Sequence, residues 1–466
     1  MAVDAFASVL RELEDGLGSA RVLADDFARQ AYASDDTPKS CPPQAVVFPR
    51  SHAEVRAIME IALRHRLPLV ARGAGSGNVG GALPVAGSVV VSFECMTRIL
   101  DFDPANRTIT VESGVVTGDI DRLARSQGLF YPPDPGSAPY CRIGGNLAMN
   151  AAGPKAVKYG VTRDYVLGLR AVTGTGAEIH TGCRTSKGVV GYDLTRLLVG
   201  SEGTLALITE ATLRLLPAPA AKATLRVCYD GSVPACAAVA RVMRQPVIPS
   251  ALEFMDHHAI AAIRAAGAAS DLPAGTQALL MVEADGDPAD VARQTAALKA
   301  ALQGPGLLEL QEAQDPAAVA ALWSARKSLS GAIKRIAPLK INEDVVVPVS
   351  RLAELVAHVD RLARDWRISI VAFGHAGNGN LHVNLMVHPD DADEMARARE
   401  ALHRLFAEVL RLGGTLSGEH GIGTEKRNYL PLELDPPTLA VMRAIKAQFD
   451  PFDLLNPGKT LPDSDQ

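Results

Sequence analysis

Gly75-Ser76-Gly77-Asn78-Val79-Gly80 spells a G-x-G-x-x-G pattern directly after an apolar run at 69–70, with Glu94 downstream as an acidic follower. In a dinucleotide-binding unit the last glycine opens a crossover helix, and a diphosphate docks on that helix's N-terminus. Here only a few residues, Pro84 among them, separate Gly81 from the next strand-like run near Ser88, so no helix fits. The pattern therefore excludes the fold it spells. Gly73, Gly75, Gly77, Gly80 and Gly81 instead leave consecutive backbone N–H groups able to converge on an anion. That points to a phosphate-bearing cofactor, the other reading of such a cluster being a surface turn. Two further glycine segments, 143–146 and 200–203, favour one long ligand.

The 466 residues carry 47 Lys+Arg against 52 Asp+Glu, a net charge of −5, which leaves no electrostatic footprint for nucleic acid. With 47% hydrophobic and 21% charged residues the chain can bury a large core, and its length suggests two or three domains of roughly 150 residues. Six cysteines without a C-x-x-C argue against iron–sulfur clusters, zinc knuckles and a disulfide framework. A cytoplasmic location fits, with peripheral attachment to the inner membrane as a variant. Asp4, Glu12, Glu14 and Asp15 speak against a signal peptide, and the longest uncharged stretch, 73–93, is broken by glycines and Pro84, so no transmembrane segment is expected.

Residues 1–40 read as a helical segment that ends at Pro38 and Pro42-Pro43. Within 41–217, a strand at 45–48, a helix opened by Ser51-x-x-Glu54 and a strand at 69–70 form a βαβ unit. Residues 131–153, dense in Pro, Gly and Asn, read as a buried ligand-facing loop. Pro217-Ala218-Pro219 makes a linker. Residues 222–412 then combine Ala-rich helices (288–302, 352–366, 391–412) with strands at 278–283 and 369–373, and this segregation of strands from helices predicts an α+β domain on an antiparallel sheet. Residues 413–466 carry two more glycine-punctuated turns.

His375 and His382 flank Asn378-Gly379, a turn signal between apolar runs, which predicts a hairpin. His382 and Asn384 share one strand face, and both imidazoles can reach one metal. Glu419-His420 lie in a glycine-flanked turn that aims neighbouring side chains apart, one toward a metal and one toward substrate. Two imidazoles and a carboxylate suit a divalent metal, zinc first, with manganese or iron as alternatives. Hydrogen-bonded or exposed turn histidines are the plain alternative. Arg326 is the better candidate among nearby cations for gripping a carboxylate, because its planar fork takes two oxygens. Arg326 and Lys340 are read as preceding a strand at 345–347.

Taken together, Pro49-Arg50-Ser51, the run from Arg72 to Asn78, Pro132 to Ser137, Ile143 to Asn146, Tyr159 to Asp164, Gly200 to Leu205, Gly374 to His382, Gly418 to Gly421 and Leu455 to Lys459 resemble the vanillyl-alcohol oxidase/p-cresol methylhydroxylase flavoprotein family, in its D-2-hydroxyacid dehydrogenase branch. The resemblance covers about 40–460. It implies a two-subdomain FAD-binding domain of p-cresol methylhydroxylase type at 41–217, an α+β substrate or cap domain with an antiparallel sheet at 222–412, and a C-terminal helical segment at 413–466 returning to the FAD domain. It also implies non-covalent FAD, since no histidine lies between Arg72 and Gly81. Arg72, Gly73, Ala74, Gly75, Ser76, Gly77 and Asn78 would hold its diphosphate side. Pro135, Gly136, Ser137, Gly144, Gly145, Asn146, Asn150, Gly160, Val161, Glu202 and Ile208 would surround it, and Asn456 would close the flavin end. Two departures stand out: Asn150-Ala151-Ala152-Gly153, where relatives often have a further glycine, and Ser330, where some have Thr.

By the same resemblance His375, His382 and Glu419 would bind the metal, Asn384 would support the site, His420 would be the base, and Arg326 with Lys340 would contact substrate. The implied activity is FAD- and metal-dependent oxidation of a D-2-hydroxy acid, D-lactate ahead of D-2-hydroxyglutarate, with hydride passing to flavin. The implied partners are that small molecule and an external acceptor, whether quinone, cytochrome or electron-transfer flavoprotein, with a homodimer as the expected assembly. A metallohydrolase and a non-catalytic flavin-binding subunit are the alternatives from other classes.

Overall fold

A computed structural model describes residues 3–267 and 271–463 of the chain, without the side chains of residues 3–5, Pro316, Ala325, Lys327 and Ser330. The departure noted at Ser330 thus lies outside the described residues. The chain divides into two compact units. One comprises residues up to 153, 161–218 and from 419 onward, and the other 154–160 and 219–418.

In the first unit a four-stranded sheet runs in the order Val22–Leu23, Ala45–Val47, Val89–Ser92, Leu69–Arg72, its last three strands parallel. Ser51 caps the helix His52–His65 by accepting from the Glu54 N–H at 3.3 Å, as its spacing predicts. Both faces of this sheet are covered. Val47, Leu69, Val89 and Val91 pack with Val55, Ile58 and Met59 of that helix, while Val46, Val70 and Val90 join Phe48 on the other side. This explains why the strands read as unbroken apolar runs rather than alternating ones. A second, antiparallel sheet has the order Ile99–Asp103, Thr108–Glu112, Ala206–Arg214, Val166–Thr173, Glu178–Gly182. The chain's last segment returns to the parallel sheet: the Leu69 N–H donates to Leu454 O at 2.7 Å, and the Asn456 N–H to Leu69 O at 2.9 Å.

One expectation is corrected here. Residues 143–146 are not a loop but the first turn of the helix Ile143–Met149. Glycine is required there for packing, because a Cβ on Gly144 would stand 2.8 Å from Ser113 Cβ.

The second unit is built on one seven-stranded antiparallel sheet: Leu307–Ala313, Ala221–Tyr229, Ala278–Gly286, Ala251–Met255, Ser369–Gly374, Asn380–Val387, Leu339–Val346. Helices and strands are not segregated along the chain as the sequence reading expected; they alternate. The first four strands form two interleaved βαβ crossovers, each spanning a strand of the other, so every neighbouring pair is still antiparallel. On one face Met255, Leu279, Met281, Phe373 and Met386 pack beneath Ile260 and Ile263 of His257–Ala265 and Leu322 and Leu329 of Pro316–Ile333. Arg326 lies on the second of these helices. Lys340, expected ahead of a strand, lies inside Leu339–Val346, because the strand begins six residues earlier than its apolar core at 345 suggests.

Candidate active site

In the first unit, residues 73–81 leave the strand Leu69–Arg72 and reach Val89–Ser92 without a helix. Among the described residues none of the backbone N–H groups from 73 to 81 donates to a protein acceptor. Such a row of unengaged amides is what an anion needs. Gly75 and Gly80 take left-handed φ values of 70° and 80°, and a side chain on either would collide with Arg72 or Thr424 respectively. Gly77, Gly136 and Gly145 instead face open space where a Cβ would stand. A cradle floored by bare backbone results, and a Cβ on Gly73 would stand 3.2 Å from Arg142 Cβ and 3.6 Å from the Gly145 N. Arg72 is buried and donates to Ser34 O at 2.7 Å, and burial draws its pKa down. Ala74, Ser76 and Asn78 complete the loop, and Pro135 O turns the neighbouring 135–138 segment by accepting from Ala138 N–H. Ser137 O accepts from the Cys141 N–H.

Several expected cofactor residues hold the cradle in place by contacts of their own. Asn146 Oδ1 accepts from Thr117 Oγ1 at 2.8 Å. Asn150, at φ 52°, ends the helix and accepts from the Arg163 N–H at 2.9 Å. The Val161 N–H donates to Asp164, and Ile208 O accepts from Ser113 Oγ. Gly160 falls in the short stretch 154–160 counted with the other unit. Asn456 donates to Glu202 O at 2.6 Å and Gly81 O at 3.4 Å.

The Glu202 side chain is committed inside the protein. Its carboxylate accepts from the N–H groups of Ile422 and Gly423, each at 2.7 Å, and from Thr460 Oγ1 at 3.0 Å. Burial raises its pKa, and these donors oppose the rise. Lys459 carries no signal in the sequence beyond its place in the Leu455 to Lys459 motif, yet its buried ammonium donates to Gly81 O at 2.8 Å. Burial brings its pKa down to about 7. The same unit carries Glu419 and His420, both partly buried, with His420 Nε2 4.0 Å from Glu419 Oε1.

In the second unit the hairpin forms as the turn signal predicts, from Ser369–Gly374 through a short turn at Ala376–Asn378 to Asn380–Val387. It brings the buried rings of His375 and His382 to 5.3 Å between centroids. Register then places Asp344, Asn342 and Lys340 opposite His382, Asn384 and Met386, all on one sheet face. Asn384 is fully buried. Its Nδ2 donates to Val371 O and His382 O, and its Oδ1 has no hydrogen-bond donor among the described residues. Asp344 accepts from Asn380 Nδ2 at 2.5 Å and the Gly418 N–H at 2.9 Å.

Glu253, unremarked in the sequence, sits at the centre of this face. Its Oε1 meets His375 Nδ1 at 2.5 Å, and its Oε2 accepts from Arg326 Nε at 3.1 Å. Burial alone would raise its pKa, but His375 and Arg326 overcome that and hold it down to about 2. Arg326 also lies over the Phe373 ring at 4.8 Å, and neither of its Nη atoms donates to a described residue. The only advance signal for Glu253 was a lone carboxylate in the apolar run Ala251–Met255. His375, His382, Asn384, Arg326 and Lys340 thus belong to one unit, and Glu419 and His420 to the other.

The fold matches that of p-cresol methylhydroxylase, with a TM-score of 0.82 at 16% identity over 100% of this chain and 98% of that one. An alkyldihydroxyacetonephosphate synthase gives 0.74 at 20% identity over 97% and 84%. A family model described as an FAD binding domain matches residues 43–182, and one described as the C-terminal domain of FAD linked oxidases matches 218–460. The chain belongs to the FAD-linked oxidase family and is an FAD-linked oxidoreductase. It is similar to the glycolate oxidase subunit GlcD of Bacillus subtilis, 42% identical over 92% of each chain. It is also similar to the D-lactate dehydrogenase of Anaerostipes hadrus, 35% over 94% of each, and the D-2-hydroxyglutarate dehydrogenase of Stutzerimonas stutzeri, 34% over 97% of this chain and 98% of that one. The metallohydrolase and non-catalytic alternatives fall with that membership.

Proposed function

We propose that the protein is an FAD- and metal-dependent dehydrogenase that oxidises D-2-hydroxy acids to 2-oxo acids, with D-lactate as the first candidate. The observation that carries the reading is that Glu253 joins Arg326, whose Nη atoms donate to no described residue, to His375, which lies beside the buried His382. A planar fork suits a carboxylate, and the imidazoles suit a borderline divalent ion such as zinc. With Nδ1 of His375 held by Glu253, Nε2 is the ring nitrogen that would meet a metal. Similarity to relatives named for glycolate, D-lactate and D-2-hydroxyglutarate supports the 2-hydroxy acid class.

When bound, FAD would supply the two-electron acceptor, and a divalent ion held by His375 and His382 would supply positive charge that acidifies the α-hydroxyl. The chain's own residues do the rest. Arg326 orients the carboxylate, Asn384 Oδ1 offers an acceptor to the substrate, and His420 takes the hydroxyl proton. The unengaged amides of 73–81 hold the diphosphate without covalent attachment. The two electrons would be taken by an external acceptor such as a quinone, cytochrome or electron-transfer flavoprotein.

Lys340 favours D-2-hydroxyglutarate as the second reading, since it places another cation on the same sheet face for a distal carboxylate. Anaerobic flavin bleaching by glycolate, D-lactate, L-lactate and D-2-hydroxyglutarate, with metal analysis of the same sample, tests the proposal. Bleaching by a D-hydroxy acid in metal-replete protein is expected. Indifference to all four acids would sink it.

A further inference from the structure

Glu253 lies in the middle of the strand Ala251–Met255, wholly buried, with its two oxygens divided between two different tasks. One oxygen takes the Nδ1 edge of His375 and the other takes the Nε edge of Arg326. A charge this deep is tolerated only when paired and hydrogen-bonded, and both of its side-chain hydrogen-bond partners among the described residues belong to the candidate site.

We infer that Glu253 is a positioning residue that sets the separation between the substrate's carboxylate anchor and the metal ligand His375. This rests on the function proposed above. Holding Nδ1 fixes the ring's tautomer and presents Nε2, which is how a carboxylate commonly tunes a metal-binding histidine. Occupying Nε of Arg326 leaves only the Nη1/Nη2 end of the fork, so a substrate carboxylate must approach end-on, with the guanidinium plane braced on Phe373. One rigid carboxylate on a central strand therefore ties together where the acid binds and where the ion sits. Its negative charge also separates the Arg326 cation from a second cation, which would otherwise repel it.

A carboxylate accepts at both oxygens, whereas glutamine accepts at one end and donates at the other. In Glu253→Gln, an amide oxygen kept on His375 turns an NH2 toward Arg326 Nε–H, where donor meets donor, so one of the two contacts is lost. The test uses FAD-loaded wild type, Glu253→Gln and Glu253→Asp. It reads zinc affinity by competition with a chromogenic chelator, and the concentration of D-lactate that half-saturates anaerobic flavin reduction. Expected for Glu253→Gln is a flavin content near wild type with at least one of these two constants weakened roughly 10–100-fold, and for Glu253→Asp a smaller loss in the same constant. FAD-loaded variants with both constants unchanged would overturn the inference. So would a fall in melting temperature or flavin content with neither constant altered in the protein that remains loaded. If Glu253→Gln does not load FAD, Glu253→Asp decides by the same two constants. A wild type that neither binds zinc nor reduces its flavin with any 2-hydroxy acid would instead refute the proposed function, which keeps the two failures apart.

Discussion

Glu202 Oε2 accepts the backbone N–H of Gly423 at 2.7 Å, joining a carboxylate at the end of one glycine segment to the turn that carries His420. Glu202 holds a left-handed φ of 56° to do so, and its Oε1 takes Ile422 in the same way. Charge-assisted bonds of this kind contribute about 1.5–3 kcal/mol each before compensation. Glu202→Gln keeps the shape but loses the charge. The expected outcome is a destabilisation of about 2 kcal/mol in urea unfolding and a slower anaerobic flavin reduction with little change in half-saturating substrate. An unchanged reduction rate would show that the turn needs no such anchor.

Gly75 and Gly77 sit two residues apart but respond differently. Gly75 is left-handed and hemmed in by Arg72, so Gly75→Ala is expected to cost about 1–3 kcal/mol of stability. Gly77 faces open space, so Gly77→Ala leaves the apoprotein within about 0.5 kcal/mol of wild type. Its methyl would nevertheless intrude on the row of amides and weaken FAD retention. Flavin absorbance after gel filtration, set beside thermal melts of the two variants, checks the contrast.

His420→Ala is expected to retain FAD and lower flavin reduction by roughly 10²–10⁴ if this imidazole takes the hydroxyl proton. A near-normal rate in stopped flow would remove it from that role.

Arg326→Lys keeps the charge but gives up the fork and the donor to Glu253. Half-saturating D-lactate should rise by roughly 10–100-fold, the effect of one lost charge-assisted bond, while the flavin spectrum stays intact. Neutral alcohols, if oxidised at all, should show no such shift.

Lys459 gives a pH signature. Its folded pKa, brought down to about 7 by burial, lies below the ordinary lysine value of 10.5. Between those values the unfolded chain holds a proton that the folded chain has released, so this group makes the fold more stable as pH rises from about 7 toward 10.5. Below about 7 both states hold the proton, and the contribution no longer changes with pH. Melting temperatures of apoprotein and Lys459→Met at pH 7 and 9.5 should diverge, with wild type gaining relative to the variant. Parallel pH responses would contradict the assignment.

Much of the fold was legible because local signals agreed. Ser51 with Glu54 announced a helix start, Asn378-Gly379 announced a hairpin, and Pro84 denied the G-x-G-x-x-G loop its helix. The helix at Ile143–Met149 is hidden in the sequence because two glycines near its start resemble a loop until Ser113 packs against Gly144. The alternation of helices with an antiparallel sheet was missed because interleaved crossovers depend on strand order, which no local pattern records.

Residue types and short spacings by themselves determined the glycine-floored loop, the histidine pair two strands could share, and the arginine suited to a carboxylate. Tertiary structure alone decided that Glu253 binds both His375 and Arg326, that Glu202 anchors the turn after His420, and that Lys459 is buried against Gly81. The reason is physical: a side chain's chemistry is intrinsic to the residue, but the partner that neutralises it across 73 or 220 positions is chosen only when strands register and segments pack.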